Sequence, residues 1–138
     1  MELTRRNAIL LGAGAVLASG LPALASTATE DAIDTFTGGA AVGEGDLKLT
    51  APEIAENGNT VPIEVASSTA VEIMVLATGN PTPSVATFKF GSMAATRNAS
   101  TRIRLAGTQD VVAIAKLEDG SFVQASSAVK VTIGGCGG

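Results

Sequence analysis

The chain has 138 residues, enough for one domain, with 9 Lys and Arg against 13 Asp and Glu and a net charge of −4. That balance excludes a nucleic-acid partner, because neutralising phosphates needs a basic face. Apolar residues reach 46% but aromatics only 3%, so the core must be built from Val, Ile, Leu and Ala. The absence of His, with a single Cys, excludes a Ser-His-Asp or Cys-His arrangement within the chain. It also leaves a zinc site nearly all carboxylate, so neither metal nor cofactor is expected here.

Residues 1–25 read as a signal peptide. Arg5 and Arg6 form a twin-arginine pair behind Leu3-Thr4, an apolar run follows, and Ala23-Leu24-Ala25 is an A-x-A cleavage site, placing the cut between Ala25 and Ser26. The apolar run is broken by Gly12, Gly14, Gly20 and Pro22. It falls short of the roughly 20 residues that a membrane span needs, so no span is expected after cleavage. The pair resembles a Tat signal, a route that exports folded proteins. Ala8 stands where an aromatic is common, and an ordinary secretory signal with two arginines is the other reading.

Residues 26–133 form the expected domain. A short helix is predicted over 29–37, with Thr29 as cap, Glu30 and Asp31 in the first turn, and Gly38-Gly39 as its stop. Glu44-Gly45-Asp46 is then a turn, and from there the helical period gives way to alternation. Strands are predicted over 47–49, 60–66, 71–77, 85–90, 101–105, 110–117 and 122–133. Pro62 marks an edge position or strand start. Asn80-Pro81-Thr82-Pro83 is a loop, and Glu118-Asp119-Gly120-Ser121 a hairpin turn with Asp-Gly as its signal. About seven short strands with one short helix predict an all-β, immunoglobulin-like sandwich. Glu53 and Glu56 flank a segment read as a turn and not as a carboxylate pair. Asn98-Ala99-Ser100 matches a glycosylation sequon, read as a plain loop. Arg102 and Arg104 share a strand face read as solvated, with an anion or a partner as the other reading.

Residues 134–138 carry the strongest signal. Gly134, Gly135, Gly137 and Gly138 surround Cys136, and glycines order at high entropic cost, so the segment is expected as a thin swinging arm. From Ile133 the arm carries Cys136 up to ~10 Å, at ~3.3–3.6 Å per residue. This suits a thiol that enters another protein's active site. No His or Lys neighbours Cys136, and the α-carboxylate two residues on disfavours the thiolate. Cys136 is therefore expected to be a substrate for other enzymes. No residue is assigned as catalytic, and the chain is not expected to be an enzyme.

Ala51-Pro52-Glu53-Ile54-Ala55-Glu56-Asn57-Gly58, Asn80-Pro81-Thr82-Pro83, Thr101-Arg102-Ile103-Arg104-Leu105-Ala106 and Gly134-Gly135-Cys136-Gly137-Gly138 together resemble SoxY, the sulfur-carrier family of periplasmic thiosulfate oxidation. The resemblance implies covalent sulfur intermediates on Cys136 and a periplasmic location. It also implies a heterodimer with a SoxZ-like β-sandwich subunit. A c-type haem enzyme would conjugate thiosulfate to Cys136, a dimanganese hydrolase would release sulfate, and a molybdenum enzyme would oxidise the remaining sulfane sulfur. Two other readings stand beside it. Ubiquitin-like sulfur carriers also end in Gly-Gly, but the leader and the all-β pattern oppose them. An exported structural module dimerising through Cys136 is the second.

Overall fold

The computed structural model describes residues 24–133. Its elements are α1 (Leu24–Thr37), β1 (Val42–Gly43), β2 (Lys48–Thr50), β3 (Ile54–Ala55), β4 (Val61–Ala66), β5 (Ala70–Ala77), β6 (Ser84–Lys89), β7 (Asn98–Ile103), β8 (Gln109–Leu117) and β9 (Phe122–Val131). They build the expected immunoglobulin-like sandwich. The larger sheet runs β1-β9-β8-β5-β6, with β3 also on β9, and the smaller runs β2-β4-β7.

Alternation explains which side chains meet between the sheets. On β4, Val61, Ile63 and Val65 are buried while Pro62 and Glu64 face solvent. Facing them are Ile73 and Val75 of β5, Val111, Ala113 and Ala115 of β8, and Val123 and Val129 of β9. Phe88 and Phe90 pack on this core from one side of the β6 region, with Lys89 turned outward. β5 reads as a nearly continuous apolar run because both of its faces are covered. Met74 and Leu76 point away from the sandwich and, with Ile114, lie against Ala32, Ile33 and Phe36 of α1. Phe36 and Phe122 close that layer edge to face, with ring centroids 5.8 Å apart.

The helix starts earlier than Thr29. Thr29 is an interior helical residue, 8% exposed, so it is not the cap. Glu30 and Asp31 accordingly lie beyond the first turn. Leu24, Ala25 and Ala28 favour helix and carry it past the threonine. The stop is as expected: Gly38 and Gly39 have φ of 66° and 85°, and Gly38 N–H donates to the Asp34 carbonyl at 2.8 Å.

Two elements, β1 and β3, are not expected as strands from the sequence. Each is two residues long, too short for alternation to register, and each pairs in parallel with one end of β9. Pro62 sits on the middle strand of the small sheet. β2 pairs only with Glu64, Val65 and Ala66, so Pro62 has no partner strand on that side. β7 starts three residues earlier than expected, and the sequon Asn98-Ala99-Ser100 is strand, not loop. Asn98, Ala99 and Ser100 pair with Ala66, Val65 and Glu64 of β4, which draws them into the ladder.

Candidate functional site

Cys136, Gly134, Gly135, Gly137 and Gly138 lie outside the described residues, as do Arg5 and Arg6. Ala25 and Ser26, on either side of the expected cut, are the second and third residues of α1. What the structure does describe is the platform from which the chain runs on to Gly134.

The end of β9 is gripped from two sides. On one side lies β3 with its flanks. Lys130 N–H donates to the Glu53 carbonyl at 2.9 Å, and Thr132 N–H to the Ala55 carbonyl at 3.0 Å. The Thr132 hydroxyl donates to the Glu56 carbonyl at 3.0 Å, and Gly58 N–H donates to the Ile133 carbonyl at 2.8 Å. On the other side, the Thr108 hydroxyl accepts from Val131 N–H at 3.0 Å and donates to the Val131 carbonyl at 3.4 Å. Backbone partners thus continue as far as Ile133.

A second layer holds the first. The Gly58 carbonyl accepts from Leu105 N–H at 2.7 Å. Leu105 is fully buried, and the residues on either side of it are held by Asn80. Asn80 Nδ2 donates to the Arg104 carbonyl at 2.7 Å, and Asn80 Oδ1 accepts from Ala106 N–H and Gln109 Nε2, both at 2.9 Å. These bonds take the backbone out of the β7 ladder after Ile103, which is why the strand ends before Leu105. Gln109 Oε1 in turn accepts from Gly79 N–H at 2.9 Å. The three segments 51–58, 80–83 and 101–106, far apart in sequence, therefore meet at one end of the sandwich, where β9 ends.

The charged residues singled out from sequence play smaller parts. Glu53 and Glu56 give backbone carbonyls to the grip and leave their carboxylates in solvent. Among the described residues no group of three His, Cys, Asp or Glu is placed to hold a metal ion. Arg102 and Arg104 are both exposed, but they do not share a strand face as expected: Arg102 lies on β7, Arg104 follows its end, and Arg102 Nη1 donates to the Thr60 hydroxyl at 3.3 Å. An open groove of about 550 Å³ runs along this region, with Pro52, Pro62 and Arg102 among its walls. Sequence reading passes over the side chains that do most here. Asn80 stands out only as part of a loop, and Thr108, Gln109 and Thr132 do not stand out at all. The available signal is an amide before a proline, a side chain able to satisfy several backbone groups in a loop.

The family model described as "Sulfur oxidation protein SoxY" matches residues 33–136. The structure of the sulfur carrier protein SoxY from Chlorobium limicola f thiosulfatophilum is similar to this chain at a TM-score of 0.67 and 35% identity. That match covers 78% of this chain and 99% of that one. A superoxide reductase (neelaredoxin) from Ignicoccus hospitalis shares the fold alone. Its TM-score is 0.56 at 16% identity, over 63% of this chain and 80% of that one. Among curated proteins no sequence matches. A β-sandwich whose last strand leads from a clamped end to a glycine-flanked cysteine defines a carrier-like class. The chain belongs to the SoxY family of sulfur oxidation proteins.

Proposed function

We propose that this chain is a covalent sulfur carrier of periplasmic thiosulfate oxidation, with Cys136 as the attachment point and Gly134, Gly135, Gly137 and Gly138 as the arm that delivers it. The observation that carries the reading is the family match reaching Cys136, together with the likeness to a sulfur carrier at 35% identity. The clamped end of β9 supports it, because an arm works as a tether only if its root is fixed. The export route is the Tat-type signal of residues 1–25, with Arg5 and Arg6 as its pair and cleavage between Ala25 and Ser26.

The partners are those that the resemblance to SoxY implies. A SoxZ-like β-sandwich subunit completes the carrier as a heterodimer. A c-type haem enzyme joins the Cys136 thiol to the outer sulfur of thiosulfate. The new S–S bond forms with release of one proton and of two electrons to the haem partner, leaving a cysteine S-thiosulfonate. A dimanganese hydrolase then adds water across the S–SO₃ bond, releasing sulfate and two protons and leaving a persulfide anion on Cys136. A molybdenum enzyme oxidises the outer sulfur of that persulfide to a sulfonate with the oxygens of three waters, with release of six protons and of six electrons to that partner. The metals belong to these partners.

Intact mass of the chain from thiosulfate-grown cells tests the reading. Adducts of sulfur or thiosulfonate on Cys136 are expected, with none on Cys136→Ser, which should fold normally and support no thiosulfate-dependent turnover. Full turnover by Cys136→Ser, or a chain recovered only as a Cys136–Cys136 disulfide dimer, would overturn it.

A further inference from the structure

Asn57-Gly58 is the one place in the chain where glycine follows asparagine. Asn59 precedes Thr60, Asn80 precedes Pro81 and Asn98 precedes Ala99. An asparagine carboxamide is open to attack by the backbone nitrogen of the residue after it, and the attack closes a cyclic imide. Glycine leaves that nitrogen uncrowded, because it has no side chain. Proline leaves it no proton to lose. Asn57 is exposed, so water and hydroxide reach its carboxamide, while Gly58 is buried.

The two reacting groups are held in opposite states. The carboxamide is prepared for attack: Asn57 Oδ1 accepts from Asn59 N–H at 3.0 Å, and that donor can stay on the oxygen as it gains negative charge. The nitrogen is withheld. Attack needs Gly58 N to lose its proton, and Gly58 N–H donates that proton to the Ile133 carbonyl at 2.8 Å. A hydrogen bond made by the neutral N–H disfavours the ionised form. Both ends of this peptide group are tied, since the Asn57 carbonyl accepts from Thr60 N–H at 3.3 Å. The next peptide group is tied as well, through the Gly58 carbonyl to Leu105 N–H at 2.7 Å. The bond that withholds the nitrogen is thus the one that joins Gly58 to the end of the clamped β9 segment.

We propose that Asn57-Gly58 is a self-modifying site whose reaction is gated by the bond between Gly58 and Ile133. When that bond opens, Gly58 N gives its proton to hydroxide, attacks Asn57 Cγ and expels the Nδ2 nitrogen as ammonia. Water then opens the imide at either carbonyl. One opening leaves aspartate with the backbone path unchanged. The other leaves isoaspartate, in which the backbone runs through the side-chain carbons and gains a methylene. Water enters, ammonia leaves and no electrons are transferred. The extra methylene moves Gly58 out of the register in which it bonds both Ile133 and Leu105, so the product holds open the contact that had blocked its formation. Nothing in this step involves Cys136, so it holds whether or not the chain carries sulfur.

The test ages the whole chain, purified with whatever subunit accompanies it, in mildly alkaline buffer. Peptide mass spectrometry follows Asn57, with fragmentation that separates isoaspartate from aspartate. The folded parent should convert at least about tenfold more slowly than the same chain in urea. Thr132→Val loses the hydroxyl bond to the Glu56 carbonyl beside Ile133 and should convert roughly fivefold faster than the parent. Asp46→Asn, which loosens the far end of the sandwich, should convert at the parent rate. The isoaspartate form, isolated by ion exchange, should have lost amide protection at Gly58 and Leu105 and kept it along β5 and β8. Equal rates in the folded chain and in urea, Thr132→Val converting at the parent rate, Asp46→Asn converting as fast as Thr132→Val, or an isoaspartate form with Gly58 still protected would each overturn the proposal.

Discussion

The two ends of the sandwich are held together by different chemistry. At the arm end, the side chains that tie backbone to backbone are Asn80, Gln109, Thr108 and Thr132, all uncharged. At the far end, the corresponding work falls to carboxylates. Asp46 Oδ2 accepts from the hydroxyls of Ser67, Ser68 and Thr69 at 3.2, 2.5 and 2.9 Å, and from Ser68 N–H at 2.8 Å, fixing the β4–β5 turn. Glu118 pairs with Arg97 beside it, and Asp119 accepts from Ser121 in the β8–β9 turn. The end next to the cysteine thus keeps its framework in groups that do not titrate. A carboxylate fixed there would disfavour a thiolate and repel an anionic adduct on it. The far end is free of that constraint and uses stronger, pH-dependent bonds.

The largest effect expected from this contrast comes from Asn80. Asn80→Ala leaves the Arg104 carbonyl and Ala106 N–H without their partner in a partly buried loop, a loss of about 2–3 kcal/mol. Urea unfolding should show it alike from mildly acidic to mildly alkaline pH, because no ionisable side chain takes part. A loss that depended on pH, or one below about 0.5 kcal/mol, would break the comparison at its stronger end. Thr132→Val should cost less, about 1 kcal/mol, and act locally. Amide exchange should quicken at Gly58 and Thr132 while the β5–β8 ladder keeps its protection.

These two residues also show where sequence reading stops. The long strands are legible because one face of each is buried, so Val61, Ile63 and Val65 announce themselves against Pro62 and Glu64. The glycines at 38, 39 and 120 are legible because positive φ selects them. β1 and β3 are not, since two residues have no period and their pairing depends on where β9 ends in space. A helix start at Thr29 is too late: the residue has the chemistry of a cap, but tertiary packing places it inside α1. The cysteine and its glycines are plain in the sequence. The platform beneath them is not, because Asn80, Leu105, Gly58 and Ile133 are joined only once three distant segments have folded together.

The far end gives the pH-dependent prediction. Asp46 has its carboxyl held down at about 2, by the Ser68 hydroxyl first, then the Thr69 hydroxyl and Ser68 N–H. Asp119 is lowered too, chiefly by the Ser121 hydroxyl. A carboxyl lowered on folding adds stability above its unfolded value of 3.8 and loses that contribution as pH falls toward the folded value. Stability should therefore fall between about pH 4 and pH 2 in the parent. Asp46→Asn should be less stable at neutral pH and flatter across that window. An unchanged acid slope in Asp46→Asn would show that the four bonds to Asp46 do not govern the far end.

The smallest expected effect is that of the ion pair. Glu118 is 56% exposed and Arg97 16%, so water screens one partner while the other is half sheltered. Pairs of this kind contribute about 0.2–1 kcal/mol at most, and salt lowers the figure. Glu118→Gln keeps an acceptor for Arg97, whose Nη1 also donates to the Ala70 carbonyl at 3.2 Å, so the guanidinium is not stranded. The expected loss is under about 0.5 kcal/mol in low salt, vanishing near about 1 M. A double-mutant cycle with Arg97→Gln at two salt concentrations would isolate the coupling from the packing of the arginine stem. A coupling that survived high salt would mean that the pair acts as a buried clamp. The two ends would then differ in charge alone and not in their response to solvent.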